Sequence, residues 1–162
     1  MCALEETMSP GEDREYVVGV ISDTHGRLPP EVPRLFAGVD LIVHAGDVGG
    51  AGILQWLEKI APVVAVRGNM DALDLEDLET AEVGGIRICV LHDIHRLKID
   101  PKAADMRAVI SGHSHRPSLR EEDGVLYLDP GSATRPRGGH TATVAILRIR
   151  DGEPRAAFAH LE

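Results

Sequence analysis

Tyr16-Val-Val-Gly-Val-Ile-Ser-Asp-Thr-His-Gly26 is a short apolar run that stops abruptly at small, polar and ionisable residues. Tyr16 to Ile21 suits a strand buried on both faces, and the Ser-Asp-Thr-His-Gly stop suits the loop that follows it. The same unit recurs twice. Asp40-Leu-Ile-Val-His44 breaks at Ala45-Gly46-Asp47, and Pro62-Val-Val-Ala-Val66 breaks at Arg67-Gly68-Asn69. Between these runs, Pro29-Pro30-Glu31 suits the first turn of a helix towards Phe36. Ile53, Leu54, Leu57 and Ile60 recur at helical spacing over 51–60, with Trp56 on the same core-facing stripe. Strands alternating with helices predict a parallel sheet with right-handed crossovers.

The second half reads differently. Glu82 to Leu91 reads as a hairpin turning at Gly84-Gly85, and Ser118 to Leu128 as another around Glu122-Asp123-Gly124. Thr141 to Ile149 and Arg155 to His160 form a closing pair around Asp151-Gly152. Between them, Pro101 to Asp105 can open a short helix, and Ala108-Val-Ile110 is a strand ending at Ser111-Gly112-His113. No repeat or linker interrupts the chain, so residues 16–162 are expected to form one α/β domain with mixed sheets. Residues 1–15, carrying Glu5, Glu6, Glu12 and Asp13, are expected to be a flexible acidic tail.

The 162 residues carry 17 Lys and Arg against 26 Asp and Glu, a formal net charge of −9. That balance speaks against long nucleic acids and anionic membranes as partners. No apolar run approaches the roughly 20 residues of a membrane span, and no secretory signal opens the chain. Cys2 and Cys89 cannot build a disulfide framework, so a reducing, cytoplasmic setting is expected, with Cys89 a small buried hydrophobe. Nothing in the sequence fixes an oligomeric state; a homodimer stays open as the commonest soluble assembly.

Eight histidines carry more information than the charge does. Candidate ligands fall where strand-like runs end: Asp23 and His25, Asp47, Asn69, His92, and finally His113 and His115. In open α/β sheets the loops at the carboxyl ends of strands converge on one crevice, so these seven can meet. In extended chain, residues i and i+2 point the same way, so Asp23-Thr-His25 and His113-Ser-His115 each offer two side chains together. His44 reads as a neighbour that supports the ligands or faces the substrate. His140 and His160 read as surface residues, and Asp71 to Glu79 as a solvated acidic run from which Asp71 can orient a ligand.

Taken in order, Asp23-Thr-His25, Gly46-Asp47, Gly68-Asn69, His92 and Gly112-His113-Ser-His115 resemble the calcineurin-like dinuclear metallophosphoesterases, and within them the small phosphodiesterase branch of the YfcE type. The resemblance covers roughly residues 16–150. It implies a metallophosphoesterase fold, a four-layer α/β/β/α sandwich of two mixed sheets flanked by helices. It further implies one divalent ion held by Asp23, His25, Asp47 and His115, and a second held by Asp47, Asn69, His92 and His113. An oxygen and imidazole donor set without thiolate suits Mn²⁺, Fe²⁺, Zn²⁺ or Ni²⁺, and Mn²⁺ is the ion expected. The implied reaction is hydrolysis of a small phosphodiester by in-line attack of a hydroxide bridging the ions.

Three positions adjust that reading. Related phosphatases often carry Gly-Asn-His, whereas this chain has Gly68-Asn69-Met70, and methionine cannot protonate a leaving oxygen. Diesters or aryl esters are therefore favoured over alkyl monoesters. The branch usually has His-Gly-His where this chain has His92-Asp93-Ile-His95, which makes His95 a candidate acid and puts Asp93 where it could repel a phosphate. Asp129-Pro-Gly-Ser132 resembles the family's Asn-Pro-Gly-Ser loop, and Arg67 and Arg135 are candidate phosphate contacts. Two rival readings remain: a phosphomonoesterase, which would need His95 as its proton donor, and a non-catalytic protein-binding scaffold of the same fold.

Overall fold

The computed structural model describes residues 14–161, so the expected acidic tail up to residue 13 lies outside the described residues. In chain order the elements are β1 (Glu15–Ile21), α1 (Val32–Leu35), β2 (Leu41–His44), α2 (Ala51–Glu58), β3 (Val63–Ala65), β4 (Leu78–Val83) and β5 (Ile86–Leu91). A single 3-10 turn (Ile94–Arg96) follows, then β6 (Met106–Ile110), β7 (Pro117–Glu122), β8 (Val125–Pro130), β9 (Thr143–Arg150) and β10 (Glu153–His160). They form two five-stranded mixed sheets, ordered β10-β9-β1-β2-β3 and β4-β5-β6-β8-β7. β1, β2 and β3 run parallel, as do β5, β6 and β8, while the outer hairpins are antiparallel.

Strand periodicity builds the layers. Val18 and Val20 of β1 point between the sheets with Leu147 and Ile149 of β9, where they meet Ile88 and Val90 of β5 and Ile110 of β6. Ile21 and Ile42 face the other way and are covered by Val32 and Phe36 near α1 and by Ile53 and Leu57 of α2. The outer face of the second sheet carries Cys89, Val109 and Val125, packed against Ile94, Leu97 and Ala104. That outermost layer is made of the 3-10 turn and the turns at 101–105, so the expected short helix there does not form. Cys89 is fully buried, and burial pushes its thiol up to about 11.

Trp56 corrects the sequence reading: its side chain is 53% exposed, with the Lys59 ammonium 5.0 Å from its ring. At about 100° per residue, the stripe is centred on Ile53 and Leu57, and Trp56 falls about 80° to one side. All three hairpins close through two residues of positive φ: Gly84-Gly85, Asp123-Gly124 and Asp151-Gly152. That pairing is the I′ geometry, whose twist matches the strands. Among the described residues no helix is long and apolar enough to cross a membrane.

Candidate metal centre

Each sequence-derived candidate follows the carboxyl end of a strand: Asp23 and His25 after β1, Asp47 after β2, Asn69 after β3, His92 after β5, His113 and His115 after β6. Because these five strands run parallel within their sheets, their loops gather at one end of the sandwich. Backbone pairing fixes the first two loops together, with Asp23 N–H donating to Gly46 O at 2.9 Å and His25 N–H to Asp47 O at 3.0 Å. The two sheets are joined there as well. His113 N–H donates to Asp23 Oδ2 at 3.0 Å, and His92 Nδ1 lies 2.7 Å from Ala45 O.

Asp23 is fully buried and Asp47 nearly so, and among the described residues no lysine or arginine pairs with either. Each has one oxygen satisfied and one left over. Asp23 Oδ2 accepts from Ser22 Oγ at 2.6 Å and from His113 N–H, while Asp47 Oδ1 accepts from Met70 N–H at 2.8 Å. Asp23 Oδ1 then faces His115 Nε2 at 3.2 Å, His25 Nε2 at 3.8 Å and His92 Nε2 at 3.9 Å. Asp47 Oδ2 faces His92 Nε2 at 3.4 Å and His25 Nε2 at 3.9 Å.

The tautomers of two of these rings follow from their partners. Ala45 O and Arg135 O can only accept, so His92 Nδ1–H and His115 Nδ1–H donate to them, the latter at 2.6 Å. With one ring proton committed to Nδ1, Nε2 of each ring is the atom that offers a lone pair, and it faces a carboxylate oxygen. Burial lowers the His25 pKa more than Asp47 and Asp23 raise it, and Arg135 lowers it further. Asp23 Oδ1, His25 Nε2 and His92 Nε2 are buried without a hydrogen-bond partner. Uncompensated carboxylates and facing lone pairs are unfavourable unless a cation lies between them. Two groups can hold one: Asp23 with His25 and His115, and Asp23 with Asp47 and His92. The all-oxygen-and-imidazole donors fit divalent ions.

The backbone is bent to reach this arrangement. Asp23, His25, Asp47, His113 and His115 all have φ between 50° and 73°, the left-handed region. Each such residue costs about 1 kcal/mol or more, and strain of this kind clusters at functional sites. Gly68 is required for a different reason: a Cβ there would overlap Asp47 N and Oδ1.

The remaining candidates spread around this core. Asn69 is exposed, between Gly68 and Met70, whose backbones both touch Asp47. His113 is half exposed, its ring 5.1 Å from that of His92 and its Nε2 4.0 Å from Asp93 Oδ2. Asp93 caps its own turn by accepting from His95 N–H at 3.1 Å, and His95 is exposed on the same cleft as His113. Arg67 is exposed, and its guanidinium is bound to Asp77 at 2.8 Å. His44 is fully buried rather than facing a ligand. Gly46 N–H donates to its Nδ1, leaving Nε2–H for Thr24 Oγ1 at 3.0 Å, and burial pushes its pKa down to about 3.

Hydrogen bonds from neighbouring loops support the site. Ser132 Oγ and Thr134 Oγ1 donate to Asp23 O at 2.8 and 3.2 Å, drawing the 129–134 loop under the site. Met70 contributes its backbone N–H, which no reading of side chains reveals. Asp71 accepts from Gly68 N–H at 2.9 Å and Gly49 N–H at 3.1 Å, so it ties the loops bearing Asn69 and Asp47 together.

A two-sheet sandwich with acidic and imidazole groups gathered beyond its parallel strands defines a metallophosphoesterase, and residues 17–152 match the calcineurin-like phosphoesterase superfamily domain. The chain belongs to that superfamily. It is 42% identical over 134 residues to the probable metallophosphoesterase MJ0623 of Methanocaldococcus jannaschii, covering 75% of this chain and 70% of that one. Phosphodiesterase YfcE of Escherichia coli K12 is 28% identical over 154 residues, covering 78% of this chain and 84% of its own. Among solved structures, a Vps29 single mutant from Entamoeba histolytica superimposes with a TM-score of 0.72 at 22% identity, covering 90% of this chain and 99% of that one, which speaks for the fold alone.

Proposed function

We propose that this chain is a metal-dependent phosphodiesterase acting on small diesters. The observation that carries the proposal is Asp23 Oδ1, buried without a hydrogen-bond partner and facing three imidazole Nε2 atoms at 3.2–3.9 Å. Asp23, His25, Asp47 and His115 would hold one ion, and Asp47, Asn69, His92 and His113 the other, with Mn²⁺ the first choice. Two such ions supply positive charge against the phosphoryl oxygens and lower the pKa of water at the site.

The chain's own residues do the rest. His92 and His115 are locked as Nε2 acceptors by their carbonyl partners, and Asp23 and Asp47 are each aimed by a donor on the other oxygen. Position 70 presents a backbone N–H and no titratable side chain, which favours good leaving groups. His95 stands across the cleft as the candidate proton donor, on the loop that Asp93 caps. The names of the relatives MJ0623 and YfcE support the same reading.

The test compares bis-p-nitrophenyl phosphate with p-nitrophenyl phosphate in Mn²⁺, alongside metal analysis of the dialysed protein. We expect bound metal and faster diester turnover, both lost in Asp47→Ala. Faster monoester turnover reverses the substrate assignment. Protein that takes up no ion, or unchanged diester turnover in Asp47→Ala, removes the enzyme reading in favour of a scaffold.

A further inference from the structure

The acids of this chain are unevenly spread. Residues 106–120 and 130–150 contain no Asp or Glu, in a sequence that holds 26 of them. The two stretches meet at His115, one of the candidate ligands. His115 Nδ1–H donates to Arg135 O at 2.6 Å, and Arg137 N–H donates back to His115 O at 3.1 Å. Arg135 N–H donates to Ser132 Oγ at 2.8 Å, and that hydroxyl donates to Asp23 O at 2.8 Å. Pro136 fixes φ between the two arginines. The 132–137 loop is thus fastened to both Asp23 and His115, and Arg135 and Arg137 stand on a fixed base at the edge of the metal centre.

Both arginines are exposed, and among the described residues neither has a carboxylate within 4.0 Å. Elsewhere arginines are engaged by acids, as Arg14 is by Asp40, Arg107 by Glu153 and Arg120 by Glu122. The positive charge of Arg135 is felt at the metal centre, where it opposes protonation of His25 more strongly than His115 does, whose ring is 5.3 Å away. Arg116 adds charge to the same loop, because its guanidinium lies against Gly138: a Cβ there would stand 3.0 Å from Arg116 Nε and 3.4 Å from its Cζ. A guanidinium beside a cation site, with no acid of its own, is repelled by the ion unless an anion lies between them. A phosphate group is such an anion, and a guanidinium offers its oxygens paired N–H donors. We propose that Arg135 and Arg137 form a phosphate-binding rim beside Asp23, His25 and His115, gripping the non-bridging oxygens of the reacting diester and then of the monoester product. The inference rests on the phosphodiesterase reading and gives it substrate contacts from the protein itself. The product carries one more negative charge than the diester, so the rim holds it more tightly and makes inorganic phosphate an inhibitor. In a chain of net charge −9 the attraction is confined to this one rim.

Calorimetric titration of inorganic phosphate into the Mn²⁺-loaded protein reads the rim without turnover. Loss of one charge-assisted contact predicts phosphate binding weaker by about tenfold or more in Arg135→Ala, with Mn²⁺ binding in the absence of phosphate not weakened. The kcat/KM for bis-p-nitrophenyl phosphate should fall by a similar factor. Arg135→Lys keeps the charge without the fork and should recover part of both, and Arg137→Ala should move both in the same direction as Arg135→Ala. Arg155→Ala removes an equal charge from exposed chain on β10 and should leave both unchanged. If the diester is turned over and neither Arg135→Ala nor Arg137→Ala alters phosphate affinity or kcat/KM, the rim is overturned and the phosphodiesterase reading stands. Equal weakening in Arg155→Ala also overturns the rim, since bulk charge then explains the effect, and so does loss of Mn²⁺ binding in Arg135→Ala, which marks a structural role. Inert diester together with phosphate binding that depends on Arg135 defeats the phosphodiesterase reading and upholds the rim.

Discussion

Replacing Asp129 by Asn should make the metal-free protein more stable, and only above a defined pH. Asp129 is 7% exposed. Burial pushes its pKa from 3.8 up to about 6, against the hydrogen bonds from Ser114 and Gly131, and Asp23 pushes in the same direction as burial. The sign follows from that direction. A raised folded-state pKa contributes stability in full below pH 3.8, and the contribution is lost as pH rises through 6. Above that pH the ionised carboxylate destabilises the fold by about 3 kcal/mol relative to a group that cannot ionise. Asparagine keeps both contacts: its oxygen accepts from Gly131 N–H, and its amide donates to Ser114 Oγ, whose proton turns to Arg116 O at 3.1 Å. At about 2–4 °C per kcal/mol for a domain of this size, the gain in Tm is roughly 6–12 °C at pH 8, shrinking to nearly nothing at pH 4. Thermal melts by circular dichroism in chelator, at steps from pH 4 to 8, read the difference directly. Saturating Mn²⁺ should reduce it, because nearby positive charge favours the carboxylate. A gain independent of pH, or a loss at pH 8, refutes the reasoning.

Other outcomes follow from the same geometry. Mn²⁺ at one hundred times its Kd should add about 2.7 kcal/mol of stability, or roughly 5–10 °C in Tm. Asp23→Asn should remove that metal-dependent rise while leaving the metal-free melt equal or higher, since it relieves a buried, uncompensated charge; a lower metal-free Tm contradicts this. Gly68→Ala forces a methyl into Asp47 and should destabilise by about 1–3 kcal/mol, seen as a lower urea midpoint together with weaker Mn²⁺ binding by calorimetry. Asp71→Ala leaves the Gly49 and Gly68 N–H groups without their acceptor and should cost about 1–3 kcal/mol, with diester KM rising as the two loops separate.

The residues that were legible in the sequence are those whose structure is decided locally. Gly84-Gly85, Asp123-Gly124 and Asp151-Gly152 turn where they were expected because positive φ at two successive residues restricts what can stand there. The strand ends carrying Asp23, Asp47, His92 and His113 were legible because apolar runs stop where the chain leaves the core. Trp56 was misread because spacing defines a stripe's centre and not the edge at which a large ring stays wet. The pairing of Arg67 with Asp77 was not legible, because that partner is ten residues away on a loop without periodic pattern. The left-handed backbone at five of the candidate ligands has no composition signal, since nothing but the closed site imposes it.

The two sheets are joined unequally. At the carboxyl ends of their parallel strands, polar links cross between them: His92 to Ala45, His113 to Asp23, and Ala133 N–H to Ser22 O at 3.1 Å. At the opposite end the charged link is Arg107 to Glu153, a surface pair of the kind worth little. The sandwich thus has a clasp at one end and loosely held covers at the other, and an ion in the clasp would tighten the end that is already shut. Breathing of the fold should begin at the Gly84-Gly85 and Asp151-Gly152 hairpins and die away towards Asp23, so that amide exchange maps a gradient running along the strands toward the chemistry.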